Sequence, residues 1–320
     1  MSGPHGSGTR LRATMTRDYL SVDDLTPDEL TRLLDAAAAM KADRSLHADA
    51  LAGRSVAMIF EKSSTRTRVS FDVAVAQLGG HPLTLSSGDL QLGRGESIED
   101  TGRVLSRYVD AIVLRTYEQE RLEVLAAAAE VPVINSLSDF EHPCQALADL
   151  LTVRERLGDL AGRVMTYVGD GNNVAHSLLL AGAKAGMHVR IATPPGFAPI
   201  PQVVQRAQEI AAETGGSATV STDPAEAVTE ADVVYADVWA SMGQEDEAEE
   251  RSLVFRAFQL NAALTDRMAP DGIVLHCLPA HRGEEITDDV IDGPRSAVWD
   301  QAANRVPSQK ALLLLLFDRL

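Results

Sequence analysis

The chain has 320 residues, of which 45% are hydrophobic and 23% are charged, and its formal net charge is -17. This length predicts two domains of roughly 150 residues each, and the composition is that of an ordinary globular protein. The negative charge argues against nucleic acid or an anionic membrane as the main partner, because both need a basic surface. An anionic substrate would have to be attracted locally, by arginines gathered in a cleft.

The cysteines and the apolar segments exclude further classes of protein. Two cysteines, Cys144 and Cys277, are too few for a disulfide framework and are typical of a reducing cytosol, so we expect a cytoplasmic location. The apolar run at 311–317 is shorter than the roughly 18 residues that span a bilayer, so we expect no membrane partner. Residues 1–15 lack the apolar core of a signal peptide and are expected to form a disordered extension.

Strand-like and helix-like segments alternate from residue 55 onward. The expected strands are 55–60, 81–85, 111–115, 131–137, 163–169, 188–193, 218–222, 232–238 and 272–279. The expected helices are 67–78, 98–108, 118–130, 142–158, 173–186, 201–213, 253–268 and 302–319. This alternation predicts an α/β protein with two doubly wound parallel-sheet domains, hinged near 140–160.

Polar residues repeatedly follow the predicted strands. In open α/β sheets, ligands bind beyond the carboxyl ends of the strands. The residues that occupy such ends are the turn 63–68, Arg115, His142, Asn173, Asp237 and Cys277. We therefore expect an active site in a cleft between the two domains.

The turn "SSTRTR" at 63–68 sits where a helix is expected to start. Backbone N–H groups at a helix start favour an anion, and hydroxyl and guanidinium groups can bind phosphate oxygens. No Walker A pattern is present, so the turn does not imply a nucleotide. The alternative for this turn alone is a capped helix with arginines that face solvent.

Two other segments favour a small ligand over a cofactor or a metal. "VGDGNNV" at 168–174 lacks the third glycine of a dinucleotide-binding turn, which favours Asn172 and Asn173 as groups that face a small ligand. His276 and Cys277 are neighbours on a strand and point to opposite faces. Neither "HPCQ" (142–145) nor "HCLP" (276–279) has the C-x-x-C spacing that is usual for zinc.

The segment that begins at Asp237 has groups that could bind an amino acid. A carboxylate can pair with an ammonium group, and the turn formed by Ser241, Met242 and Gly243 can offer backbone groups to a carboxylate. Together they would recognise the substituents of an amino acid's α-carbon. The acidic run that follows is most simply a solvated face.

Four motifs together resemble the aspartate/ornithine carbamoyltransferase family. They are "STRTR" (64–68), "HPCQ" (142–145), "DVWASMGQE" (237–245) and "HCLPAHRGEEI" (276–286), in the family's order and spacing. The last two are similar to the ornithine-using members, and the resemblance covers the chain from about Tyr19. It implies transfer of the carbamoyl group of carbamoyl phosphate to the δ-amine of L-ornithine, without a metal or an organic cofactor.

The resemblance also implies the site residues. Those implied to bind carbamoyl phosphate are Ser64, Thr65, Arg66, Thr67, Gln91, Arg115, His142, Gln145, Cys277, Leu278 and Arg305. Those implied to bind ornithine are Asn173, Asp237, Ser241 and Met242. Those implied to act on the reacting atoms are Arg66, His142, Cys277 and Arg305.

The family also implies that each domain binds one of the two substrates. Residues 16–145 would bind carbamoyl phosphate, residues 150–300 would bind ornithine, and the helix 302–320 would pack back onto the first domain. The expected assembly is a homotrimer or a multiple of trimers. The alternatives are a carbamoyltransferase for another amine, such as putrescine or an acylated ornithine, a catalytically silent binding subunit, and a metal hydrolase.

Overall fold

The computed structural model describes residues 17–86, 95–240 and 248–320. The strands, in chain order, are β1 (Ser55–Phe60), β2 (His81–Ser86), β3 (Ala111–Arg115), β4 (Val133–Leu137), β5 (Val164–Val168), β6 (His188–Ala192), β7 (Ser217–Ser221), β8 (Val233–Ala236) and β9 (Ile273–His276). The α-helices are α1 (Pro27–Ala42), α2 (Thr65–Gln77), α3 (Ile98–Leu105), α4 (Gln119–Ala128), α5 (Pro143–Leu157), α6 (Asn173–Lys184), α7 (Pro201–Thr214), α8 (Pro224–Val228), α9 (Ala248–Phe255), α10 (Ala262–Thr265), α11 (Asp288–Ile291) and α12 (Val298–Leu316).

The strands form two sheets in which every pair is parallel. The first sheet has the order β2-β1-β3-β4, and the second has the order β7-β6-β5-β8-β9. Parallel neighbours need a crossover connection, which the helices between the strands supply. The predicted architecture of two parallel-sheet α/β domains is confirmed.

The strand orders reverse at one point in each sheet. In the first sheet this point lies between β1 and β3, and in the second it lies between β5 and β8. A crevice opens beyond the carboxyl ends of the strands at such points, and ligands of open α/β sheets bind there. The turn at 63–68, the segment 169–173 and Asp237 follow β1, β5 and β8, and Arg115 is the last residue of β3.

The last helix, α12, follows the strands of the second sheet but packs against α1, α2 and α5, which flank the first sheet. Leu312 to Leu316 are buried in this contact, so the apolar run near the chain end is a core segment. Among the described residues, no helix is both long enough and apolar enough to span a membrane.

The predicted helix 253–268 is wrong. The structure instead has α9, a short 3-10 turn at Arg256–Phe258 and α10. Leu260 leaves the helical path to form a parallel bridge with Ile286, since its N–H donates to Glu285 O at 2.8 Å. Asn261 then caps α10, and its side chain accepts from Leu264 N. This pairing with a distant segment breaks the local helical pattern.

Candidate active site

The turn after β1 is the capped start of a helix, as its composition predicts. Ser64 is the N-cap residue of α2, and its Oγ accepts from the N–H of Thr67 at 3.2 Å. Thr65, Arg66 and Thr67 form the first turn, where Arg66 is exposed and Thr67 is buried. The positive end of α2 therefore lies at the carboxyl edge of the first sheet.

Arg115 ends β3 on the same edge. The register between β3 and β4 shifts between Leu114 and Arg115, so that one extra residue of β4 is accommodated there. Such irregularities redirect side chains near functional sites. Arg115 is 7% exposed, and burial together with the charges of Arg305 and Arg66 lowers its pKa to about 10.

Arg305 reaches the same place from α12. It is 3% exposed, its Nη1 donates to Gln145 Oε1 at 2.6 Å, and its Nη2 donates to Thr67 Oγ1 at 3.3 Å. Burial lowers the pKa of Arg305 as well. Three guanidinium groups, from α2, β3 and α12, thus carry like charges close together, and those of Arg115 and Arg305 are buried. A bound anion would relieve their mutual repulsion.

Several buried polar atoms here find no hydrogen-bond partner within the described ranges. They are Arg115 Nε, Arg305 Nε and His142 Nδ1. Buried polar groups are normally paired, so unpaired groups that converge in one place indicate a missing ligand or water. Burial, then Arg305 and Arg115, hold the pKa of His142 well below its usual range, which makes its imidazole neutral.

On the second sheet, Asp237 organises the edge beyond β8. Its Oδ1 accepts from Cys277 Sγ at 2.9 Å, and its Oδ2 accepts from Asn172 Nδ2 at 2.9 Å. Burial and the Asp237 carboxylate raise the pKa of the Cys277 thiol well above its usual value. Cys277 is therefore a protonated thiol that donates to Asp237, and not a thiolate.

Asn173 contacts the loop that carries His142. Its Nδ2 donates to Ser138 O at 2.6 Å, and one helical turn later Ser177 Oγ accepts from His142 N at 2.9 Å. The start of α6 therefore holds this loop of the first domain. The sequence predicted a ligand contact for Asn173 but gave no sign of this second contact.

The segment after β9 joins the two halves of the cleft. Arg66 Nη2 donates to Leu278 O at 2.7 Å. Leu278 N donates to His276 Nδ1 at 2.9 Å, and His276 Nε2 contacts Glu285 Oε1 at 3.1 Å. His276 and Cys277 thus have different partners on different sides, as expected for neighbours at the end of a strand.

The two cysteines have separate hydrogen-bond partners. Cys144 Sγ donates to Asn135 O, whereas Cys277 Sγ donates to Asp237. Gln91, Ser241 and Met242 lie outside the described residues.

Two functional candidates were missed by the sequence analysis, Asp149 and Gln301. Asp149 is fully buried on α5 and accepts from both Gln145 and Gln301. The available signal was an acidic residue in the otherwise apolar helical face "ALADLL", four residues after Gln145.

Comparison with known proteins agrees with this geometry. Residues 17–155 match the carbamoyl-P binding domain of the aspartate/ornithine carbamoyltransferase model, and residues 161–316 match its Asp/Orn binding domain. The chain belongs to the aspartate/ornithine carbamoyltransferase family. The matched ranges contain the first and the second sheet, respectively, although α12 packs against the first-sheet helices.

Individual relatives cover nearly all of the chain. An ornithine carbamoyltransferase of Parafrankia sp. (strain EAN1pec) is 61% identical over 305 residues, which are 94% of this chain and 96% of the relative. The anabolic ornithine carbamoyltransferase of Pyrococcus furiosus is 56% identical over 302 residues, which are 94% of this chain and 96% of that protein. A solved structure of ornithine carbamoyltransferase from Pyrococcus furiosus has a TM-score of 0.92, covers 95% of this chain and 98% of its own, and is 55% identical.

Proposed function

We propose that this protein transfers the carbamoyl group of carbamoyl phosphate to the δ-amino group of L-ornithine, which gives L-citrulline and phosphate. The observation that carries the proposal is the buried cluster of Arg115, Arg305 and neutral His142, beside Arg66 and the Asp237–Cys277 pair. A dianionic donor fits the arginines, and an amino acid fits the second-sheet edge. The names of close relatives support the same function.

In this proposal the donor binds at the edge of the first sheet. The N–H groups and hydroxyls of Ser64, Thr65 and Thr67 bind the phosphate, and Arg66, Arg115 and Arg305 neutralise its charge. Gln91 is among the residues that surround the carbamoyl group, as the family resemblance implies. His142, Gln145 and the backbone of Leu278 surround the carbamoyl group.

The acceptor binds at the edge of the second sheet. Asp237 pairs with the α-ammonium group of ornithine, while Ser241 and Met242 bind its α-carboxylate. Asn173 Nδ2 donates one N–H to Ser138 O, which orients the carboxamide, and its Oδ1 is the acceptor that would receive an ornithine N–H. Cys277, held against Asp237, packs beside the side chain of ornithine.

The reaction needs electrostatic preorganisation in a water-poor cleft. The free δ-amine attacks the carbamoyl carbon and forms a tetrahedral oxyanion. The C–O bond to phosphate then breaks, and the proton on nitrogen leaves to phosphate or solvent. Arg66, His142 and Arg305 stabilise the oxyanion and the departing phosphate. Cys277 already holds its own proton, so the thiol does not take the proton of the amine. The site instead binds the minor free-amine form of a group whose ordinary pKa is near 10.

The domain, assembly and location predictions remain proposals. We propose that residues 16–145 with helix 302–320 form the donor domain and that residues 150–300 form the acceptor domain. We propose a homotrimer, or a multiple of trimers, in the cytoplasm. Exposed apolar side chains on the first domain, Val69, Leu83 and Val104, support a subunit interface there. Sedimentation at several protein concentrations tests the assembly.

A ureido-product assay with a panel of acceptors tests the function. The panel contains L-ornithine, putrescine, N-acetylornithine and L-aspartate, each with carbamoyl phosphate. The proposal expects a strong preference for L-ornithine. Putrescine lacks the α-carboxylate that Ser241 and Met242 would bind, and N-acetylornithine lacks the free α-ammonium group that Asp237 would pair with. Preference for another amine would keep the donor site and overturn the acceptor site. No product with any acceptor would favour a silent binding subunit.

A further inference from the structure

Asp149 lies at the centre of a buried hydrogen-bond network that spans both domains. It is completely buried on α5, and its Oδ1 accepts from Gln145 Nε2 at 2.7 Å and from Gln301 Nε2 at 2.7 Å. Gln145 Oε1 accepts from Arg305 Nη1 at 2.6 Å, and Gln301 Oε1 accepts from His276 N at 2.9 Å. One carboxyl oxygen thus contacts two carboxamides that point in different directions.

The partners of Gln145 allow only one orientation of its carboxamide. Arg305 has donors only, so the end of Gln145 that faces it must be the oxygen. Asp149 Oδ1 is an acceptor whether or not the carboxyl is protonated, provided that the proton lies on Oδ2, so the end that faces it must be the NH₂ group. The two partners agree on this orientation. Asp149 holds the NH₂ end of the carboxamide in place, and this fixes the position from which the oxygen faces Arg305.

This orientation has a chemical consequence for the donor substrate. A carbonyl oxygen has two lone pairs, and Arg305 uses one of them. The second can accept an N–H from a ligand bound beside Arg305. A carbamoyl group offers an N–H at that point, whereas an acetyl group of the same shape offers only a methyl.

Gln301 gives the network its second branch. Its Nε2 contacts Asp149 Oδ1 and Tyr235 OH at 3.1 Å, and its Oε1 holds the N–H of His276 at the end of β9. His276 N is a donor only, so Gln301 is also fixed in one orientation. Asp149 therefore links the helix that carries Gln145 to the strand that leads into Cys277.

We propose that Asp149 is a positioning residue that makes the donor site selective for a carbamoyl group over an acyl group without N–H, by fixing the oxygen of Gln145 toward the ligand. The inference rests on the proposed function, since it concerns the same donor site. Asp149 itself touches no substrate and acts through Gln145.

Three variants and one analogue test the proposal. Acetyl phosphate, with methyl in place of NH₂, is used as a competitive inhibitor against carbamoyl phosphate in the ornithine assay. The readout is the ratio of its Ki to the KM of carbamoyl phosphate. Asp149→Asn is the matched control, because its amide oxygen can still accept from both glutamines. Asp149→Leu removes the acceptor. Asp149→Ser replaces it with a hydroxyl one atom shorter than the carboxylate, so that in both variants the NH₂ end of Gln145 is no longer held.

We expect a ratio of at least about tenfold for the wild type, which corresponds to one hydrogen bond that the analogue cannot make. The ratio should persist in Asp149→Asn and fall to within about threefold in Asp149→Leu and Asp149→Ser. A merely structural role would weaken both ligands alike and leave the ratio unchanged. Thermal melting identifies the folded variants, and Asp149→Ser alone decides the matter if Asp149→Leu does not fold.

Two results would overturn the proposal. One is a wild-type ratio near one, and the other is a wild-type ratio retained in a folded Asp149→Ser or Asp149→Leu protein. Failure of the proposed function gives a different result, since the wild-type protein would then form no citrulline from carbamoyl phosphate and L-ornithine. The wild-type assay with both substrates is therefore run first.

Discussion

Replacing Arg115 with methionine should stabilise the ligand-free protein. Burial and the charges of Arg305 and Arg66 lower the pKa of Arg115 from 12.5 to about 10. Each unit corresponds to about 1.4 kcal/mol, so the protonated guanidinium costs the folded state about 3 kcal/mol. The cost is present in full below pH 10 and is relieved only as the pH rises through 10 toward 12.5. Methionine keeps an apolar stem of similar length and removes the charge.

The assay is urea unfolding at pH 7.5 with and without inorganic phosphate. In phosphate-free buffer, Arg115→Met should raise the free energy of unfolding by about 1–3 kcal/mol. Phosphate should stabilise the wild type by about 2.7 kcal/mol at 100 times its Kd and the variant much less. The advantage of the variant should therefore shrink or reverse as phosphate is added.

Arg107→Met is the matched control. The Arg107 side chain is 66% exposed and pairs with Glu130 at 2.9 Å, so its loss should change stability by about 0.5 kcal/mol or less, with no phosphate dependence. A lower stability of Arg115→Met than of the wild type in phosphate-free buffer would contradict this prediction. Equal stabilisation of both proteins by phosphate would contradict it as well.

Three further predictions concern ionisable groups, two of them on buried side chains and one on the substrate amine. Burial raises the pKa of Cys144 to about 12 and that of Cys277 well above its usual value. Iodoacetamide at pH 8 should therefore alkylate the native thiols at least about 100-fold more slowly than the unfolded ones, as followed by mass spectrometry. Similar rates would contradict this. Burial raises the pKa of Glu141 from 4.5 to about 7, so its favourable contribution is present below pH 4.5 and is lost as the pH rises through 7. Between pH 5 and pH 8, the urea stability of Glu141→Gln should therefore improve relative to the wild type by roughly 1–3 kcal/mol, and a constant difference would rule this out. If the site binds the free amine, kcat/KM for ornithine should rise about tenfold per pH unit between pH 6 and pH 8, and a flat profile would exclude that requirement.

The strands were largely predictable because their signals are local. The run 55–60 is apolar and ends at polar turn residues, and the structure forms β1 over the same residues. The presence of a helix start at the turn 63–68 was also predictable, since Ser64 is a good N-cap residue. A similar local signal at Thr26, Pro27 and Glu29 caps α1, a helix that the sequence analysis left out.

The features that could not be predicted depend on distant segments. The predicted helix at 253–268 is broken because Leu260 pairs with Ile286, which no local pattern in that segment indicates. The role of Asp149 depends on α12 returning from the second domain to place Arg305 and Gln301 beside α5. In the same way, Asn173 meets Ser138 only because the two domains pack together at the cleft.

The most direct test of the account compares Arg66→Ala with Asp237→Asn in steady-state assays of both substrates. Arg66→Ala should lower kcat/KM for carbamoyl phosphate by roughly 100-fold, because it removes charge-assisted hydrogen bonds to phosphate. The ornithine concentration that gives half-maximal rate should change little when carbamoyl phosphate is saturating. Asp237→Asn should weaken ornithine by at least about tenfold more than carbamoyl phosphate. This opposite pattern is what two substrate sites in one cleft require. Wild-type kinetics in Arg66→Ala, or equal losses for both substrates in Asp237→Asn, would contradict the account.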